Sequence, residues 1–215
     1  FGEFGGVNPS ITDSSTYTFL KSETMKELFE SEIEGCFLYS RHWNPSNKYL
    51  SDAISALENS EASQITASGI SAIACTILQI CKQGDELISS RTIYGGTYAL
   101  FKNILPRFGI SVKFVDVTDL TAVKSAISDN TKLIYCESIS NPLLDVSDLS
   151  SLSKLAHSHD MKLVVDNTFS PMLLTPINLG ADVVIHSMTK FINGTSDCVA
   201  GCISSTKEFI STLSD

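Results

Sequence analysis

KLVVD (162–166) and DVVIH (182–186) decide how this chain is read. Both runs are apolar at consecutive positions instead of alternating, as in a parallel strand buried on both faces, and each ends on an ionisable residue. Working outward, residues 86–89, 112–117, 132–137 and 198–204 are further candidate strands. Between them, 96–106, 120–127 and 149–157 show helical spacing followed by turn residues. Strand, helix, strand in that rhythm implies right-handed crossovers: an α/β fold, a mostly parallel sheet with helices on both faces. Upstream, 47–58 and 69–81 also read as helices, the second expected to bury Ile70, Ile73, Ala74, Ile77, Leu78 and Cys81 on one face. The first 35 residues are polar, with aromatics at Phe1, Phe4, Tyr17, Phe19 and Phe29 and no clear strand, a segment expected to stay loose or to wrap over a neighbour.

Composition narrows the partners. The 215 residues hold 15 Lys+Arg against 24 Asp+Glu, a net charge of −9, which argues against nucleic acid. With 43% hydrophobic and 18% charged residues, the chain can build a large core. Its length suits one large domain, or one and a half. No run of about 18 apolar residues occurs, and the start FGEFGGVNPSITDSSTYTF has neither a basic nor an apolar leader region, so no membrane role is expected. Cysteines 36, 75, 81, 136, 198 and 202 lack C-x-x-C or Cys/His ligand spacing, which fits a reducing cytosol and predicts no zinc site. Opening on Phe1 and closing on a capping box at Ser205–Glu208 that starts a helix, the chain reads as a fragment.

In open α/β sheets ligands sit outside the carboxyl ends of the strands. Asp166 ends KLVVD and precedes Asn167-Thr168; Glu137 ends LIYCE, with Asn141-Pro142 close behind; His186-Ser187-Met188-Thr189-Lys190 follows DVVI. Singly, each has a plain structural reading as a turn cap, a turn dipeptide or a solvated lysine. Together they form a complementary set. A partly desolvated lysine loses its proton readily and forms a Schiff base with an aldehyde, hydroxyls at −1 and −3 from it can bind a phosphate, and a strand-end Asp can keep a pyridine nitrogen protonated. Those are the requirements of pyridoxal phosphate. Ala67-Ser68-Gly69-Ile70, opening the long apolar helix, adds N–H donors and a close-approach glycine. The rival motifs G-x-G-x-x-G, G-x-x-x-x-G-K-[ST] and G-x-S-x-G do not occur.

The stretches YSRHWNPS (39–46), ALE (56–58), TASGISAI (66–73), IYGGTYALF (93–101), ESISNP (137–142) and VVDNTFSPMLLTPINLGADVVIHSMTKFINGTSDCVAG (164–201) resemble, in order, motifs of the Cys/Met-metabolism family of fold-type-I pyridoxal-phosphate enzymes. The resemblance covers essentially the whole chain. It implies a PLP-dependent transferase major domain over residues 46–215, truncated at its C-terminal end, with the C-terminal small domain missing. That small domain supplies the arginine for the substrate carboxylate in the family. Residues 1–45 are then an arm that reaches the neighbouring subunit.

By that resemblance Lys190 is the Schiff-base lysine, Asp166 the partner of the pyridine nitrogen, and Tyr94 the residue that stacks on the ring and acts as acid toward the leaving group. Ser187, Thr189 and the backbone of Gly69 and Ile70 would contact the phosphate, Asn141 the 3-hydroxyl and substrate carboxylate, and Thr168 the cofactor. Tyr39 and Arg41 would bind the phosphate of the neighbouring subunit, making the protein a homo-oligomer, a dimer building a tetramer. His186 is expected to pack or support, and His157 and His159 to be solvated. SRHWNP, NTFSPMLLTP and VIHSMTKFI are most similar to the plant-type methionine γ-lyase branch. The implied reaction is α,γ-elimination of the sulfur amino acid L-methionine to methanethiol, 2-oxobutanoate and ammonia, in the cytoplasm. The alternatives are γ-replacement on an activated homoserine ester, cleavage of cystathionine, or, in another class, a non-catalytic fragment that keeps the scaffold. Gly96 stands where bacterial methionine γ-lyases carry cysteine. Met188 and Trp43 depart from the family's usual residues; two outcomes are open, that the pocket tolerates them or that they reshape it.

Overall fold

The computed structural model describes residues 5–30, 33 and 35–213. In it β1 (Ala62–Thr66), β2 (Glu86–Ser90), β3 (Ser111–Val115), β4 (Thr131–Glu137), β5 (Lys162–Asp166), β6 (Val183–His186) and β7 (Gly201–Ser205) form one sheet, ordered β1-β7-β6-β5-β4-β2-β3. The strands from β6 to β3 run parallel. β7 is antiparallel to both β6 and β1. The parallel core matches the sequence reading; the missed edge strand β1, ASQIT, is mostly polar and pairs on one side only, so its pattern is not that of a doubly buried strand. The strand expected from residue 198 begins at Gly201, three residues later.

Consecutive strand residues separate to opposite faces. Leu87, Leu133, Tyr135, Val164 and Ile185 enter one buried cluster, whereas Ile88, Ile134, Cys136, Val165 and Val184 enter the other. Helices complete both layers. α3 (Gly69–Ile80) contributes Ala72, Ile73 and Ile77 to the first cluster, and α5 (Leu120–Ala126) and α6 (Leu149–His157) contribute Val123, Leu149 and Leu152 to the second. α6 has the limits expected for it, with Asp148 accepting the Ser151 N–H as its cap. α3 and its C-cap bury Ile73, Ile77 and Cys81 of the face expected, but the helix is rotated so that Gly69, Ala72 and Thr76 are buried with them while Ile70 and Leu78 are exposed. Two apolar flanks compete on this helix, and the sheet covers only one.

The helix expected at 96–106 is broken into α4 (Gly95–Ala99), a π-turn (Leu100–Ile104) and a 3₁₀ turn (Leu105–Phe108). Pro106 has no N–H to continue the ladder, and the wider and tighter turns absorb the interruption. At the other end, α7 (Lys207–Ser211) is capped by Thr206, whose side chain accepts the Phe209 N–H, one position later than the expected capping box. Among the described residues no helix is long and apolar enough to cross a membrane.

Two compact units divide the chain, one running to Ala53 and one covering Ile54–Leu213, with the division inside α2 (Pro45–Glu58). The first unit has more order than its composition implied. It contains α1 (Ser22–Glu30), an antiparallel bridge between Thr16 and Tyr39, and a Tyr17–Phe37 ring contact at 5.6 Å. Its Val7, Ile11 and Leu20 are almost fully exposed. Phe1 and Phe4, counted among the aromatics of this segment, lie outside the described residues.

Candidate active site

At the carboxyl end of the sheet, a cavity of about 390 Å³ opens between the N-terminus of α3, the loops after β2, β4 and β5, and the turn after β6. Strand register places its acids side by side, because Glu137, the last residue of β4, pairs with Asp166, the last of β5. Nine of the candidate residues line this cavity: Gly69 and Ile70 on one wall, Tyr94 and Asn141 on another, and Asp166, Thr168, Ser187, Thr189 and Lys190 along the sheet edge. The remaining two, Tyr39 and Arg41, belong to the first unit, where the Arg41 guanidinium lies 5.2 Å from the centre of the Tyr39 ring.

Asp166 is fixed from three directions. Its Oδ1 accepts the Thr168 hydroxyl at 2.5 Å and the Thr168 N–H at 3.0 Å, and its Oδ2 accepts the Tyr135 hydroxyl at 3.2 Å. The Thr168 hydroxyl in turn accepts the Ser187 N–H at 2.8 Å, which ties the lysine-bearing turn to the acid. Burial pushes the Asp166 carboxyl above the usual carboxylate range, against the pull of the Thr168 and Tyr135 hydrogen bonds. The nearby charge of His186 pulls the same way as those bonds, and among the described residues the carboxylate's hydrogen bonds come only from uncharged donors. Burial, then the nearby charge of Asp166, also raises Glu137, to about 7.

The cavity wall at the start of α3 is made by close approach. A Cβ added at Gly69 would fall 2.6 Å from Ser187 Cβ, and one added at Gly201 only 2.2 Å from the Ser68 carbonyl oxygen. Two glycines therefore let the start of α3 settle against β7 and the turn after β6. Ser68 caps α3 by accepting the Ser71 N–H. No acceptor among the described residues takes the N–H groups of Gly69 and Ile70 in the first turn. Of the two hydroxyls expected there, that of Thr189 donates to the Ala200 carbonyl at 3.1 Å and accepts the Ala200 N–H at the same distance. Ser187 lies against Gly69.

Other expectations are revised by position. Lys190 is exposed, so these residues alone do not supply the desolvation expected for its amine. Met188 is buried and does not line the cavity, so it packs inward and leaves the pocket's shape alone. Gly96 lies beneath Tyr94, where a Cβ would come 2.6 Å from the ring carbon Cε1. His157 and His159 are exposed, as expected, and His157 is also partnered by Asp182, Nε2 to Oδ2 at 2.9 Å. His186, read as packing or supporting, is fully buried, and its Nε2 donates to Glu58 Oε1 at 2.5 Å. Asn167 donates to the same oxygen at 3.3 Å, and its own Oδ1 accepts the Ser138 and Ser170 hydroxyls. Sequence reasoning missed this polar layer beneath the cavity, and it missed Tyr135. The available signal was the polar residue at the end of each apolar run, quoted in ALE and VVDN without a role.

The fold and cavity define an α/β cofactor-dependent class in which a lysine and a strand-end carboxylate share one pocket with a helix N-terminus. The chain belongs to the Cys/Met metabolism PLP-dependent enzyme family, which matches residues 2–214. It is 44% identical over 220 residues to a methionine gamma-lyase of Arabidopsis thaliana, covering 100% of this chain and 50% of that protein. An L-methionine gamma-lyase of Fusobacterium nucleatum subsp. polymorphum is 43% identical, with 95% of this chain and 52% of that protein covered. Among solved structures, cystathionine gamma-lyase from Lactobacillus plantarum complexed with L-serine superposes with a TM-score of 0.84 at 33% identity, covering 94% of this chain and 50% of that one. The chain spans about half the length of the curated relatives it matches.

Proposed function

We propose that this chain is the cofactor-binding portion of a pyridoxal 5′-phosphate-dependent carbon–sulfur lyase that converts L-methionine and water to methanethiol, 2-oxobutanoate and ammonia. The observation that carries the proposal is the convergence of Lys190, Asp166, Tyr94 and the α3 N-terminus on one cavity. The cavity fits the cofactor on its own terms: a buried carboxyl whose hydrogen bonds, among the described residues, come only from uncharged donors, two free N–H groups at a helix start, and a cradle that a Cβ at Gly69 would fill. Bound there, the cofactor supplies an electron sink for the carbanion at the substrate Cα.

The residues divide the remaining work. Lys190 would hold the cofactor through its ε-amine and, with that amine free, would serve as the base for the Cα proton. Asp166, oriented by Thr168 and Tyr135, keeps a proton on the pyridine nitrogen. Gly69, Ile70 and Ser187 take the phosphate, and Asn141 faces the substrate carboxylate. Tyr94, half exposed at the start of α4, gives a proton to the departing sulfur. Tyr39 and Arg41 complete the phosphate site of a second copy, residues 1–45 being the arm that carries them and 46–215 the major domain. The exposed Val7, Ile11 and Leu20 of that arm support an assembly of copies, a dimer that builds a tetramer. Six free cysteines support a cytoplasmic location.

The test is to load the intact protein with pyridoxal 5′-phosphate, record its visible absorption, trap the adduct with borohydride and map the mass shift. A label on Lys190, followed by methanethiol and 2-oxobutanoate from L-methionine, is the expected result. Turnover only of O-acetyl-L-homoserine with a thiol would move the reading to γ-replacement. A folded protein with no label would refute it.

A further inference from the structure

Tyr94 and Asn141 ride on loops that leave different strands, β2 and β4, and one side chain holds both. Glu137 Oε1 accepts the Tyr94 N–H at 2.7 Å, and its Oε2 accepts the Asn141 N–H at 2.8 Å. The residue is only 5% exposed, and its carbonyl accepts the Ser147 hydroxyl at 2.8 Å, which anchors the strand end from which the carboxylate projects. We propose that Glu137 is a positioning residue, its carboxylate fastening the two loops together so that Tyr94 and Asn141 are set over the cavity as one unit.

What the loops serve rests on the function proposed above; the fastening does not. Each oxygen must accept an N–H, which an ionised carboxylate does strongly at both oxygens and a protonated carboxyl does strongly only at its carbonyl oxygen. The titratable groups around Glu137 are Asp166 on β5, Tyr135 and Cys136 on its own strand, and Tyr94 and Lys190 on the cavity wall. Burial and the Asp166 charge raise its carboxyl to about 7, against the two N–H bonds. Those two bonds favour the ionised form, so while the carboxyl stays buried the grip tightens as pH rises through that value, even though burying the charge lowers global stability.

Hydrogen exchange resolved to single amides, on the intact protein without cofactor at about pH 5.5 and about pH 8.5, tests this. In the unmodified protein, after correction for intrinsic rates, Tyr94 and Asn141 should be better protected at the higher pH. In Glu137→Gln the amide oxygen accepts one N–H while the NH₂ opposes the other. One of the two amides should then exchange about tenfold faster at pH 8.5, with the pH dependence gone. In Glu137→Asp the shorter carboxylate cannot span both loops. The Asn167 N–H, bonded to the Ile185 carbonyl at 2.8 Å, reports that the sheet is intact and should not change. Equal protection of both amides in all three proteins and at both pH values would overturn the proposal. If neither variant folds, the pH comparison on the unmodified protein decides it. Borohydride labelling of Lys190 separates the two readings. Fast amides without a label keep the fastening and reject the cofactor, whereas a label with unchanged amides does the reverse.

Discussion

Gly69→Ala tests the steric logic of the cavity most directly. An ideal Cβ at this position lies 2.6 Å from Ser187 Cβ, 2.9 Å from Ser187 Cα and 3.0 Å from Ser187 Oγ. Ordinary contact begins at 3.4 Å, so a gap of about 0.8 Å must open. A new rotamer cannot supply it, because one of the opposing atoms is backbone. Nor is Ser187 free to retreat: its N–H is bonded to the Thr168 hydroxyl at 2.8 Å, and its carbonyl accepts the Lys190 N–H at 3.2 Å. The displacement falls on the first turn of α3, the turn that presents the free N–H groups. The expected loss is about 2 kcal/mol, in the middle of the range for overpacking. For a chain of this size that lowers the melting temperature by about 4–8 °C. Cofactor affinity should fall at least about tenfold, since a shift approaching 1 Å spoils donor geometry. Gly95→Ala is the matched control, meeting nothing within 4 Å at the first position of α4, and it should be neutral or slightly stabilising. Calorimetry with and without pyridoxal 5′-phosphate, plus an absorbance titration, reads both effects. A Gly69→Ala protein that melts and binds like the Gly95→Ala control would refute the reasoning.

Removing the His186 ring should cost about 3–5 kcal/mol in urea unfolding, because Glu58, 1% exposed, is left with the weak Asn167 contact. An unchanged midpoint in His186→Ala would show that the pair is not buried in solution. The cofactor-free protein should lose stability as pH rises from about 4.5 through about 7. Glu137 binds its proton more tightly folded than unfolded in that window, so its contribution is full below the lower value and gone above the upper, amounting to about 3 kcal/mol. Asp166 shifts in the same direction. Urea midpoints at the two ends of the window should therefore differ less in Glu137→Gln than in the unmodified protein; an equal or larger difference in the variant would contradict the assignment.

The sequence by itself determined the parallel core, the sheet edge at which the candidate residues gather and several helix limits. KLVVD and DVVIH are apolar on both faces, a pattern that only a strand covered on both sides requires, and α6 carries its own stop and start signals. The strand-end positions of Asp166, Glu137 and Lys190's turn followed, because in such a sheet ligands gather at the carboxyl edge. Tertiary structure alone decided what depends on the opposing surface. ASQIT becomes a strand because β7 pairs with it, and α3 buries Thr76 while exposing Leu78 because the sheet lies on that flank. The polar partnerships were equally out of local reach: Glu58 and His186 are 128 residues apart, and Tyr94 and Glu137 are 43 apart. Periodicity and capping act over a few residues, so they specify elements; which buried carboxylate meets which donor is settled only when the elements pack and each desolvated group must find a partner.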